Sequence, residues 1–181
     1  MSYFVGYMLE GAVAEWHREV AKNISEHFGT WKVHEKVAPH LTIFYPFDTE
    51  EVDTLSNLLE GYCEAQAMPG TISVTDFGRF DDNVVFAKAE AGAEINAVVH
   101  ELQDLLSEVP LVPRRGFRAW NPHATLAHKV PKETMHKIWE YVQTLPKPHF
   151  ILDFDNITLF RYEGERKWSV EKIFRFGRSG V

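Results

Sequence analysis

The sequence predicts an α+β protein of two lobes related by a pseudo-twofold axis, with a single cleft between them. Three observations point there. The tetrapeptide Pro-His-x-Thr occurs twice, as Pro39-His40-Leu41-Thr42 and Pro122-His123-Ala124-Thr125. The order strand, helix, loop, motif strand, helix, strand runs through the first half and starts again at Val84, and the two motif histidines are 83 residues apart. Chance does not supply the pair, because a single match is expected only about 0.03 times in a chain of this size and composition. A rotation that relates two copies brings equivalent points together near the axis, so both motifs are expected on the central cleft.

The elements follow in order. Residues 2–9 read as a strand, and 12–28 as an amphipathic helix with Trp16, Val20, Ile24 and Phe28 at a spacing of four and Gly29 as its stop. The apolar run from Val37 to Phe47 carries the first motif in extended conformation. Asp48 and Thr49 offer an N-cap for a helix holding Val52, Leu55, Leu58, Leu59 and Tyr62. Residues 71–80 and 84–90 form a hairpin with Asp81-Asp82-Asn83 as its turn, and a helix over 92–108 shows Ile95, Val98, Val99, Leu102, Leu105 and Leu106 on one face. Pro110, Pro113, Arg114, Arg115 and Gly116 mark a loop before the second motif strand at 121–128. Pro131 suits the first turn of the next helix, which carries Met135, Ile138, Trp139 and Val142. A last hairpin joins 149–162 to 167–176 around Glu163-Gly164-Glu165-Arg166. No linker divides the 181 residues, so one domain of two lobes, 1–181, is expected.

Composition narrows the function. The net charge of −7 and pI near 5.7 argue against an extended nucleic-acid surface, which needs many cations against phosphates, though not against a small basic pocket. No apolar run approaches membrane-spanning length, and the N-terminus lacks a basic stretch followed by an apolar one, so a cytoplasmic protein is expected; a monomer is a separate expectation. Cys63, the only cysteine, lies on a helical pattern and reads as a small core hydrophobe. The other seven histidines show no metal-ligand spacing with carboxylates or Cys63.

The motifs carry chemistry. Strand side chains alternate, so His-x-Thr sets an imidazole and a hydroxyl on one face. With a phosphodiester between two such pairs, one neutral histidine takes a proton from the attacking oxygen and the other, protonated, gives one to the leaving oxygen. The hydroxyls donate to non-bridging oxygens. No metal or cofactor is required.

These motifs, their flanks HLTIFYPF and NPHATLAH, and the doubled element order resemble the 2H phosphoesterase superfamily, within it the 2′-5′ RNA ligase-like or RNA 2′,3′-cyclic phosphodiesterase group, over nearly the whole chain. The resemblance implies two antiparallel sheets lining a central cleft with helices outside. It implies metal-independent cleavage of 2′,3′-cyclic or 2′-5′-linked nucleotides, with 2′-5′ RNA ligation as a second activity. It makes His40 and His123 catalytic and Thr42 and Thr125 phosphate-binding, with a small nucleotide or an RNA end as substrate. The chain departs from the family at one place. RNA-processing members often carry arginine three residues after the second threonine; here that residue is His128, followed by Lys129. Neither reproduces a bidentate guanidinium clamp, so smaller nucleotides become as well supported as RNA.

Further contacts are read from position. Alternation puts Phe44 on the face of His40 and Thr42, where it can stack on a base, and Tyr45 on the opposite face. Arg118 and Trp120, just before the second motif, are candidate phosphate or base contacts. Arg161 and Tyr162 occupy a strand equivalent to that of Arg79 and Phe80, with the outer sheet face expected for the arginines. The rival reading is a nucleotide-binding or sensing protein that keeps the cleft without turnover.

Overall fold

A computed structural model of the chain describes residues 1–80, 83–109 and 119–177. The elements run β1 (Ser2–Met8), α1 (Ala12–Phe28), α2 (Val33–Lys36), β2 (His40–Asp48), α3 (Val52–Ala65), β3 (Thr71–Phe80), β4 (Val84–Ala91), α4 (Ala93–Ser107), β5 (His123–His128), α5 (Lys132–Thr144), β6 (Phe150–Asp153), β7 (Asn156–Gly164) and β8 (Lys167–Arg175). They build two four-stranded sheets, β2-β1-β7-β8 and β5-β4-β3-β6, in which every pairing is antiparallel. α3 and α4 pack on the first sheet, α1 and α5 on the second. The motif strands β2 and β5 are edge strands of their sheets and touch each other.

The first three strands of each sheet follow the same order of equivalents, but each sheet takes its third strand from the other half of the chain. β3 follows the first motif yet pairs with β4, and β7 follows the second motif yet pairs with β1. Sequence repeat and structural lobe therefore do not coincide. The expected continuous strand over 149–162 is broken for this reason. Residues Phe150–Asp153 pair with β3, and from Asn156 the chain pairs with β1. Between them Phe154, fully buried, stacks on Tyr7 with ring centroids 4.7 Å apart and also meets Trp120 and Phe176. The Tyr7 hydroxyl donates to the Asp153 carbonyl, and Asn156 exchanges two hydrogen bonds with the Met8 backbone. These bonds satisfy backbone groups that the change of sheet leaves unpaired.

Several local expectations shift. The run from Val37 becomes strand only at His40, after the short helix α2, which has too few residues to show a period. The 121–128 strand begins at His123. Asp48 ends β2, and the N-cap position of α3 is Glu51, whose N–H is taken by the Thr49 hydroxyl at 3.0 Å. Pro131 is the N-cap of α5 rather than a first-turn residue. Gly29 does close α1, in the left-handed region at φ 64°. Cys63 is buried, and burial pushes its thiol up to about 12. Residues 81 and 82 of the first hairpin turn, and the loop with Arg114, Arg115 and Arg118, lie outside the described residues. No described helix is long and apolar enough to cross a membrane.

Candidate functional site

β2 and β5 present their motifs in the same way. His40 and Thr42, like His123 and Thr125, are half-buried, while Leu41, Ile43, Ala124 and Leu126 point into the core. All four motif side chains line one cavity of about 290 Å³ between the sheets. Each motif is followed by a register shift. Thr42 sits opposite Gly6 but Phe44 opposite Val5, and Thr125 sits opposite Phe86 but Ala127 opposite Val85. One extra residue in each copy, Ile43 or Leu126, forms a bulge that resets the alternation.

The bulges decide what lines the cavity. Phe44, expected beside His40 and Thr42, is turned into the core at 2% exposure and packs on Phe47. Tyr45 lines the cavity instead, and His128 holds the same place in the second copy. Strict alternation hid Tyr45. The available signal was its offset, three residues past the threonine in both copies.

Bulged backbone needs outside partners for its carbonyls. The Trp120 indole N–H donates to the Thr42 carbonyl at 2.8 Å, and His17 Nε2 donates to the Thr125 carbonyl at 2.9 Å. Gln103 Nε2 donates to the Ile43 carbonyl at 2.8 Å. Trp120, singled out as a substrate contact, is thus a clasp between the loop before the second motif and the backbone of the first. No protein group takes either threonine hydroxyl among the described residues, so both remain available to a ligand.

The histidines are set symmetrically. His40 Nδ1 lies 2.8 Å from the Ala38 carbonyl and His123 Nδ1 lies 2.8 Å from the Asn121 carbonyl. A carbonyl only accepts, so each Nδ1 carries a proton and each Nε2 is the exchanging nitrogen. Each ring rests on two phenylalanines. His40 meets Phe4 and Phe160 at centroid distances of 4.8 and 5.2 Å; His123 meets Phe80 and Phe86 at 4.7 and 5.1 Å. Gly78 makes room for this, since a Cβ there would stand 2.3 Å from the Phe86 ring. Burial pushes His40 down to about 4, with His123 acting the same way and the Ala38 carbonyl opposing. Burial also lowers His123 against the Asn121 carbonyl. Both are neutral in the ligand-free protein at neutral pH.

His17 belongs to this neighbourhood and was not singled out in the sequence, because it sits at a core position of α1. It is 3% exposed, lines the cavity, and its Nδ1 has no partner among the described residues. Burial pushes it down to about 3, with His40 adding to the effect. Its folded pKa lies below its unfolded one, so the unfolded chain binds the extra proton and stability falls as pH drops below about 6.5. The expected loss from His17 alone is about 2 kcal/mol by pH 5. Urea titrations of wild type and His17→Gln at pH 7 and pH 5 check this: the variant keeps a donor toward Thr125 and should lose less on acidification. Equal losses in the two proteins would contradict it.

Other residues singled out in the sequence lie elsewhere. Arg79 stands over the Trp139 ring, and Arg161 is paired with Glu163 and Glu171 on the outer side of its sheet. Phe4, Trp31 and Trp168 join the cavity wall without any sequence signal.

Known proteins share this fold over most of the chain. The family model described as the 2′-5′ RNA ligase superfamily matches residues 9–166. A protein of Geobacillus thermodenitrificans (strain NG80-2) named "Putative phosphoesterase" is 26% identical over 144 residues, 78% of this chain and 80% of its own length. Among solved structures, TT0787 of Thermus thermophilus superposes with a TM-score of 0.65 at 19% identity, covering 99% of this chain and 100% of that one. E. coli LigT complexed with NADP+ gives 0.62 at 19% identity over 97% of both chains. LigT has also been solved with 3′-AMP, at a TM-score of 0.61 and 19% identity over 96% of this chain and 97% of that one.

Proposed function

Because this chain belongs to the 2′-5′ RNA ligase superfamily, we propose that it is a metal-independent phosphodiesterase acting on 2′,3′-cyclic or 2′-5′-linked nucleotides through His40 and His123. The observation that carries this reading is the matched pair of imidazoles, each with Nδ1 tied to a carbonyl, on one cavity with two hydroxyls; among the described residues neither Nε2 nor either hydroxyl has a protein partner. In hydrolysis of a cyclic ester, the neutral Nε2 of one histidine removes a proton from water as its oxygen bonds to phosphorus. The bond to the 2′ or 3′ oxygen breaks, and the protonated Nε2 of the other histidine delivers a proton to that oxygen. Thr42 and Thr125 donate to the non-bridging oxygens as charge builds there. The pseudo-symmetry lets the histidines exchange roles with the direction of reaction, which is how ligation at a 2′-5′ linkage fits the same site. The nucleotide complexes of LigT support a nucleotide as the ligand class.

The test is hydrolysis of nucleoside 2′,3′-cyclic phosphates with EDTA present, followed as a function of pH. Activity needs one neutral and one protonated histidine, so kcat/KM peaks between their two free-enzyme pKa values. Both are lowered from 6.5, so the maximum is expected below pH 6.5, falling toward neutral pH. An optimum above pH 7 would contradict the assignment. The same depression favours a second reading, a nucleotide-binding protein without turnover, since neither ring holds the proton a leaving group needs at neutral pH. Tight binding with no product after long incubation at pH 5.5 would select it.

A further inference from the structure

The cleft does not end at the motifs. A second cavity of about 290 Å³ adjoins the first and shares Trp31, His128 and Trp168 with it. Its own lining is Lys129, Tyr162 and Arg166. An aromatic wall leads outward: His40 touches Phe4, Phe4 meets the edge of Trp168 at 4.9 Å, and Trp168 meets Tyr162 at 5.0 Å. Trp31 stands edge-on to His128 at 6.0 Å across the same passage. Such a passage suits a flat heterocycle.

The far end of the passage carries two cations on one cavity. In a chain of net charge −7, Arg161 and Arg175 are each held by two carboxylates, and Lys147 and Lys172 by one. Neither the Lys129 nor the Arg166 side chain has an ion-pair or hydrogen-bond partner among the described residues. Both act on His128 as positive neighbours, so they converge on one place. Both also sit at positive φ, 56° for Lys129 and 60° for Arg166, the second in a two-residue hairpin turn where asparagine and glycine fit best. Two cations lining one cavity, with no carboxylate partner among the described residues, repel each other, and a bound anion removes that cost.

We propose that Lys129 and Arg166 form a second anion subsite that holds another phosphate of the substrate, beyond a base and ribose lying along Trp31 and Trp168. This rests on the phosphoesterase reading and specifies its substrate class: a nucleotide whose 5′ side carries a phosphate, either a 5′-phosphorylated mononucleotide or the last internucleotide phosphate of an RNA end. Lys129 thereby replaces the missing arginine clamp in a different way. It does not grip the scissile phosphate but anchors the opposite side of the nucleoside.

Calorimetric binding of a nucleoside 3′-phosphate and the corresponding 3′,5′-bisphosphate tests this without turnover. Wild type is expected to prefer the bisphosphate by about tenfold at low salt, and less at high salt. The variant Lys129→Asn with Arg166→Gly, chosen to suit positive φ and keep the fold, should lose that preference. Equal affinities in wild type, or a preference unchanged in the variant, would overturn the proposal. Hydrolysis of 2′,3′-cyclic nucleotides with and without a 5′-phosphate separates the two inferences. A Lys129- and Arg166-dependent binding preference with no turnover of either compound leaves the subsite standing and removes the enzyme reading. Turnover with no preference does the reverse. A dinucleotide ending in a cyclic phosphate assigns the source: tighter use of it than of the 5′-phosphorylated mononucleotide points to an RNA end, the opposite order to a mononucleotide.

Discussion

Alanine in place of His40 or His123 is expected to lower turnover of a 2′,3′-cyclic nucleotide by about 10²–10⁴-fold, the range for loss of a positioned proton donor or acceptor. In the proposed mechanism the two rings share one proton exchange, so the double variant should be little worse than either single one. Loss of structure is a separate matter and can be read separately. Each ring rests on two phenylalanines, and truncation leaves a gap against Phe4 and Phe160 or against Phe80 and Phe86. His→Gln variants fill more of that gap while abolishing proton transfer, so they should fold like wild type and remain inactive. Thermal unfolding and 3′-nucleotide binding report whether the cleft survives. Undiminished turnover in both alanine variants, with EDTA present, would remove the mechanism.

Phe154→Ala is expected to cost about 3–5 kcal/mol of stability, the usual range for emptying a fully buried phenylalanine site. The residue is 0% exposed, sits where the chain leaves one sheet for the other, and contacts Tyr7, Trp120 and Phe176. A distinctive consequence follows from Trp120, whose indole N–H holds the Thr42 carbonyl. The cavity loosens Trp120 and with it the first motif, so nucleotide binding should weaken even under conditions where the variant is fully folded. Guanidinium unfolding measures the first effect and calorimetry the second. A loss below about 1 kcal/mol would mean that this crossing does not organise the core.

Much of this was legible from sequence because the signals were local or repeated. The spacing of Val20 and Ile24 placed α1, Gly29 placed its end, and the two Pro-His-x-Thr copies placed two strands with their polar side chains on one face. Phe44 shows where such reasoning stops. Alternation assumes an unbroken ladder, and the bulge at Ile43 arises from pairing with β1, a partner more than thirty residues away along the chain. The split of 149–162 has the same origin. An apolar run is equally good in either sheet, and only the supply of unpaired edges, β3 first and then β1, decides where it divides.

The sequence by itself determined most element types and the repeat, and it put forward a two-histidine, two-hydroxyl chemistry, because these depend on residue identity and short-range periodicity. The tertiary structure alone decided which side chains meet. Exchange of the third strand between lobes, the paired bulges that bring Tyr45 and His128 to the cleft, the His17 and Trp120 donors to the motif carbonyls, and the placing of Lys129 and Arg166 on one cavity all join residues far apart in the chain. Those pairings are chosen by competition among backbone donors, acceptors and apolar faces across the whole fold, and no local pattern records the outcome.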